Sequence, residues 1–224
     1  MGLLRFFVTA PPRLRPTIMS ARFLKSISPL LFLCCPAMLP DNDAIIAVTR
    51  AWLEKVVIGL NLCPFAKAVH VKNQIRFVVS RARNSDALLE DLERELNFLA
   101  QADLAQIDTT LLIHPAVLTD FLDYNDFLDV CDTVVEELEL DGVLQVASFH
   151  PQYQFADTEM DDVSNFTNRS PFPTLHLLRE DSVTRAVETF PDVEGIYEKN
   201  IATLRKLGVE KLKQLLVDVE KNPP

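Results

Sequence analysis

Between residues 75 and 149 the chain alternates between two periodicities, and that alternation restricts the available folds more than any other feature. Residues 75–80, 109–113 and 143–149 are short runs rich in β-branched and large apolar side chains. Between them lie stretches with helical spacing. Leu88, Leu92, Leu96 and Leu99 follow a capping Ser85, and Phe127, Cys131, Val134 and Leu138 recur within residues 126–140, which end at the turn pair Asp141-Gly142. Strand, amphipathic helix and strand form a β-α-β unit, so these three strands are expected to run parallel with right-handed crossovers. An earlier helix is expected from Ile45, Val48, Trp52 and Val56, capped by Asp41 or Asp43 and stopped at Gly59. Residues 174–179 read as a fourth strand. No helix precedes it, so it is expected antiparallel at an edge, followed by three helical patterns through Ala186, Ile201 and Leu212. The expected fold is α/β: a mostly parallel sheet of about four strands (75–80, 109–113, 143–149 and 174–179) with flanking helices and a helical C-terminus.

Charge divides the chain near residue 40. Residues 1–40 carry five basic and no acidic side chains, whereas the remaining 184 carry 17 basic and 32 acidic ones, a net charge of −15. The first segment, with Arg5, Arg13, Arg15, Arg22 and Lys25 among hydroxyl residues such as Thr9, Thr17 and Ser20, is expected to be a disordered mitochondrial or other organellar presequence. A cytoplasmic location is the alternative. The apolar stretch at 30–39 is interrupted by Pro36 and is too short to span a bilayer, which takes about 20 residues. Residues 41–220 are expected to form one α/β domain. Its acidity argues against nucleic acid as a partner and leaves a small-molecule ligand. Only Cys63 and Cys131 fall within it, too few for a disulfide framework, which fits a reducing compartment.

Polar clusters stand at the ends of the expected elements: Asn61-Leu62-Cys63-Pro64, His114-Pro115, His150-Pro151 and Asn168-Arg169-Ser170-Pro171. A residue before proline is pushed towards extended backbone, so His114 and His150 would each close a strand on the rim where open α/β sheets bind ligands. Together with Gly59-Leu60-Asn61-Leu62-Cys63-Pro64-Phe65-Ala66-Lys67, Asp123-Tyr124-Asn125-Asp126-Phe127 and Leu175-His176-Leu177-Leu178-Arg179-Glu180, these strings resemble the bacterial family called domain of unknown function 1415 over nearly all of residues 43–215. The resemblance implies one compact bacterial-type domain and carries over no catalytic residue or cofactor. The basic extension departs from the family's usual short start.

The residues themselves suggest chemistry. If Pro64 opens a short helix, Cys63 takes its N-cap, where the helix terminus and Lys67 would favour thiolate, as suits a nucleophile or metal ligand; the alternative is a small residue buried at a turn. Cys131, on an inward helix face, reads as core. His114 and His150 can act as acid, base or ligands, or can merely cap loop carbonyls. His176 alternates with Leu175 and Leu177 and is a weaker candidate. The segment from 151 to 173 is long enough to be a functional loop. Within it Arg169, flanked by Asn168 and Ser170, can hold a substrate carboxylate or phosphate, or can staple the loop. The acidic run at 157–162 has Asp162 where a calcium loop requires glycine, so no EF-hand is expected.

With 5 glycines and no phosphate-cradling loop, nucleotide sites are improbable. The expected function is therefore an enzyme of small-molecule hydrolytic or transfer chemistry with a Cys63, His114, His150 and Arg169 site. A metal- or ligand-binding protein using the same Cys/His set, with a divalent metal, and a structural or interaction domain are the alternatives. A chain starting at Asp41 is expected to remain soluble and to melt at the same temperature as the full chain. A large fall in melting temperature on thermal denaturation would instead make residues 1–40 part of the core.

Overall fold

The computed structural model describes residues 40–189, 192 and 195–221. The expected presequence, apart from Pro40, lies outside the described residues. Helix α1 (Asn42–Trp52) is capped by the Asp41 carboxylate, which accepts from the Ala44 amide at 2.7 Å. It widens into a π-helical segment, Leu53–Ile58, where the Gly59 amide reaches back to the Glu54 carbonyl. The residue after it must be glycine for a steric reason: a Cβ at Gly59 would lie 2.4 Å from the Lys55 carbonyl oxygen.

After the short helix α2 (Ala66–Val71) come β1 (Ile75–Val79), α3 (Ser85–Gln101), β2 (Thr109–Ile113), α4 (Phe121–Glu137) and β3 (Leu144–Phe149). A 3-10 turn (Val163–Thr167) interrupts the long segment that leads to β4 (Thr174–Arg179). Helices α5 (Glu180–Thr189), α6 (Gly195–Leu207) and α7 (Val209–Lys221) complete the described chain. The cap of α3 is Asn84, one residue before the expected Ser85. Helix α4 begins five residues before residue 126, because Asp120 accepts from the amides of Leu122 and Asp123 and supplies the cap.

The sheet order is β1-β2-β4-β3. The fold is an α/β mixture, but the sheet is not mostly parallel: β1 and β2 pair in parallel, whereas β4 pairs antiparallel with both β2 and β3. The expectation of an edge position for β4 is overturned too. Leu175 and Leu177 are fully buried on one face and His176 packs on the other, so β4 has the two-sided burial of an interior strand. An antiparallel strand needs no helical crossover, and residues 150–173 carry the chain into the slot between β2 and β3. The three strands β1, β2 and β3 still run in one direction, so their C-terminal ends share a rim.

Side-chain alternation divides the core into two clusters. Leu112, Leu144, Leu175 and Leu177 pack beneath α3 and α4, against Leu88, Leu92, Leu96, Leu99, Tyr124, Leu128 and Cys131. Cys131 is fully buried, as expected of a core residue. On the other face, Ile75, Phe77 and Phe149 meet Val48, Trp52, Val56, Phe166, Leu204 and Leu212 from α1, the 3-10 turn, α6 and α7. Trp52 joins this second cluster to the loop before β4. Its ring meets Phe149 edge-on at 5.1 Å between centroids, and its indole N–H donates to the Arg169 carbonyl at 2.9 Å. Trp52→Phe keeps most of the ring and removes that donor, leaving a buried carbonyl unsatisfied. A loss of about 1–3 kcal/mol is expected in urea denaturation, with the slope unchanged. Unaltered stability would mean that the indole bond does not tie α1 to the loop.

Candidate functional site

Two of the expected site residues do come together. His114 and His150 each extend a strand by one residue and lie on the face covered by α4, and both are 0% exposed. Because β4 stands between β2 and β3, their backbones are about 10 Å apart, two strand spacings. Tyr124 fills that gap. Its ring stacks on His114 at 5.6 Å and 24°, and on His150 at 5.0 Å and 30°. The phenol hydroxyl donates to the Thr174 carbonyl at 2.9 Å, at the start of the intervening strand. The imidazoles thus share one aromatic neighbour and do not face each other across an open ligand site.

Their partners fix the protons. His114 Nδ1 lies 3.0 Å from the Val117 carbonyl oxygen, which can only accept, so this nitrogen carries the hydrogen and Nε2 keeps a lone pair. His150 has the opposite tautomer: Nε2 donates to the Leu118 carbonyl at 3.2 Å and Nδ1 accepts from the Gln152 amide at 3.0 Å. Between them the two rings pin the segment after β2, in which Leu118 adopts a left-handed φ of 53°, sterically costly for leucine. The valences of His150 are filled. Those of His114 are not, because its buried Nε2 has no hydrogen-bond partner.

Burial dominates the protonation of both rings. It lowers each pKa to about 4; the Val117 and Leu118 carbonyls oppose it at His114 and His150, and the Asp120 carboxylate also opposes it at His150. His176 is likewise held near 4 by burial, on the opposite sheet face against Phe149. Its Nε2 meets the Thr109 hydroxyl at 2.7 Å, and that hydroxyl gives its own hydrogen to the Leu177 carbonyl.

Cys63 does not join this group. It packs with the second cluster, beside residues from α1 and the 3-10 turn. The expected N-cap geometry is overturned, since α2 starts at Ala66 with Phe65 as its cap and Cys63 stands outside it. Burial raises the thiol pKa, and the opposing backbone amides of Phe65 and Ala66 are the smaller influence, so the local environment favours thiol over thiolate. Among the described residues no group of three His, Cys, Asp or Glu side chains is arranged to hold a metal ion, so Cys63, His114 and His150 are not assembled as a metal site.

Arg169 is bound inside its own loop. Only 8% exposed, it donates through Nε to the Tyr153 carbonyl at 3.3 Å and through Nη2 to the Met160 carbonyl, and its guanidinium lies 4.5 Å from the Phe166 ring centroid. Asn168 donates to the Ser148 carbonyl at 3.1 Å and Ser170 to the Phe172 carbonyl at 2.7 Å. Asn165 is fully buried: its side chain accepts from the Phe155 amide and the Thr158 hydroxyl and donates to the Glu159 carbonyl. These side chains shape the loop through carbonyls and amides of the chain itself.

Several residues around the rim were not anticipated. Tyr153, 2% exposed, packs on Phe121 and Phe155 and hydrogen-bonds the side chains of Ser148 and Asn168. Ser80 follows β1 directly beside β2, its amide donating to the Ile113 carbonyl at 2.8 Å and its hydroxyl to the Asp91 carboxylate at 2.6 Å. Tyr124 carried a readable signal. With Asp120 as the cap, Tyr124, Leu128, Cys131 and Val135 recur at helical spacing and define the inward face of α4.

What this geometry defines is a mixed α/β protein with a histidine-tyrosine-histidine stack beneath the rim of its sheet. The chain matches the family described as "Protein of unknown function (DUF1415)" over residues 44–214 and belongs to that family. No curated protein and no solved structure matches it.

The imidazoles make stability depend on pH with a definite sign. Their folded pKa values of about 4 lie below the ordinary 6.5, so the unfolded chain binds more protons between these values. Their stabilising contribution is full above pH 6.5, falls as the pH drops, and is exhausted near pH 4. Each buried ring accounts for on the order of 3 kcal/mol across that window. Urea unfolding at pH 7 and pH 5 should show the decline, with a shallower slope in a His114→Asn/His150→Asn double variant. Equal slopes in the two proteins would mean that these rings titrate normally.

Proposed function

We propose that this chain is an enzyme of small-molecule hydrolytic or transfer chemistry whose site lies at the C-terminal rim of β1, β2 and β3, with His114 as the group that receives a proton or hydrogen bond from the substrate. The observation that carries the reading is the buried Nε2 of His114, a lone pair without a partner in a setting where polar groups are normally satisfied. The ring is neutral at physiological pH, as an acceptor must be, and the Val117 carbonyl fixes its tautomer. Tyr124 and the strained Leu118 segment hold it in place. Cys63 stands apart from this reading, and Arg169 supports the loop rather than anchoring substrate.

A structural or interaction role is the second reading. It is favoured by the complete hydrogen bonding of His150, whose two nitrogens are both engaged with backbone. Incubation of the wild type with a pool of cellular small molecules, followed by mass spectrometry, tests the two. Consumption of a compound is expected, reduced about 100-fold or more in His114→Asn and little changed in Cys63→Ala. Asparagine retains a donor for the Val117 carbonyl but not the imidazole acceptor. If the wild type consumes nothing and His114→Asn only lowers the melting temperature, the structural reading holds. A compound that raises the melting temperature without being consumed would place the chain among ligand-binding proteins.

A further inference from the structure

The hydrogen-bonding inventory around His114 is lopsided. Its own Nδ1 proton is given to the Val117 carbonyl, and the Nε2 proton of His150 to the Leu118 carbonyl. The Tyr124 hydroxyl is directed to the Thr174 carbonyl, and that of Tyr153 lies with the side chains of Ser148 and Asn168. Ser80 donates to Asp91, and Asn168 to the Ser148 carbonyl. Arg169, the cation nearest in sequence to this edge, has its guanidinium engaged by the carbonyls of Tyr153 and Met160. These bonds stay within the chain, and the buried ring nitrogen left without a partner is an acceptor, His114 Nε2.

An acceptor of this kind discriminates strongly between ligand classes. A carboxylate or a phosphate ester presents lone pairs, and against the Nε2 lone pair it would be repelled in a place where water cannot screen the contact. A molecule with an O–H or N–H group and no negative charge meets the opposite situation: its proton satisfies the buried lone pair, and a positive charge on the donor strengthens that bond. Resting on the reading of His114 as the ligand contact, we infer that the ligand taken at this rim is an uncharged or cationic hydrogen-bond donor, such as an alcohol, amide or amine, and not an anionic acid or phosphate. That choice departs from the carboxylate or phosphate anchor that Arg169 suggested.

The inference is testable without knowing the natural ligand. In full-length protein carrying ¹⁵N-histidine, the Nε2 resonance of His114 is read from two-bond proton–nitrogen correlation spectra and assigned by its loss in His114→Asn. Methanol, acetamide and methylammonium are titrated as donor probes, and acetate and inorganic phosphate as anionic ones, at constant pH and ionic strength. The expected result is a saturable upfield shift of this resonance with at least one donor probe and none with the anions. A saturable shift with acetate or phosphate alone would overturn the inferred ligand class while leaving His114 as the ligand contact. No saturable shift with any probe would overturn both, marking Nε2 as sealed or held by a permanent water.

Discussion

The position of β4 governs the architecture around the rim. Lying antiparallel between β2 and β3, it supplies the hydrogen-bond partners that neither of these strands takes from the other. It also draws the segment ending at Pro173 to the top of the sheet, where the His114 amide donates to the Pro173 carbonyl and the His150 amide to the Asn168 carbonyl. Adjacent parallel strands would have set the two histidines about 4.8 Å apart, close enough to share a ligand. One intervening strand doubles that distance, and the space becomes the seat of an aromatic ring.

Tyr124 occupies that seat and links three parts of the molecule at once. Its ring is in contact with both imidazoles, its hydroxyl closes on the first residue of β4, and its backbone belongs to the helix that covers the sheet. The stack excludes water from two bases that would otherwise titrate near neutrality. Keeping them neutral lets each one donate to a loop carbonyl without the cost of burying a charge. The asymmetry between them follows from the tautomers. Both are followed by proline, but His150 Nδ1 accepts from the amide of Gln152 two residues on, whereas His114 turns Nδ1 to the Val117 carbonyl and leaves Nε2 without a partner.

The long segment before β4 is ordered by the same economy of polar groups. Asn165, Asn168, Arg169 and Ser170 are buried or nearly so, and their side chains replace the hydrogen bonds that a segment without regular structure lacks. Such residues look like substrate contacts in a sequence, because binding and loop stapling draw on the same chemistry. Only the partner distinguishes them, and here the partners are carbonyls and amides of the chain.

The alternating periodicities of residues 75–149 determined that strands and helices exist, with the strands close to their observed bounds, since burial of one face imposes a period on each element. Pro115 and Pro151 likewise determined where β2 and β3 end, because a residue preceding proline is driven to extended backbone and the proline cannot donate to a ladder. The inward face of Cys131 was legible for the same reason. Strand order was not legible, because Leu175 and Leu177 alternate in the same way whether β4 lies at an edge or in the interior; pairing with non-local neighbours decided it. The fate of Cys63 was equally hidden, since Pro64 permits a helix start and only the tertiary structure showed that start at Ala66, with Cys63 half-buried against the second cluster. The tertiary structure alone separated His114, with one nitrogen unanswered, from His150, with both engaged, because the Leu118 carbonyl that takes the second nitrogen of His150 comes from a segment that the fold brings over the rim, and no such segment brings a partner to His114 Nε2.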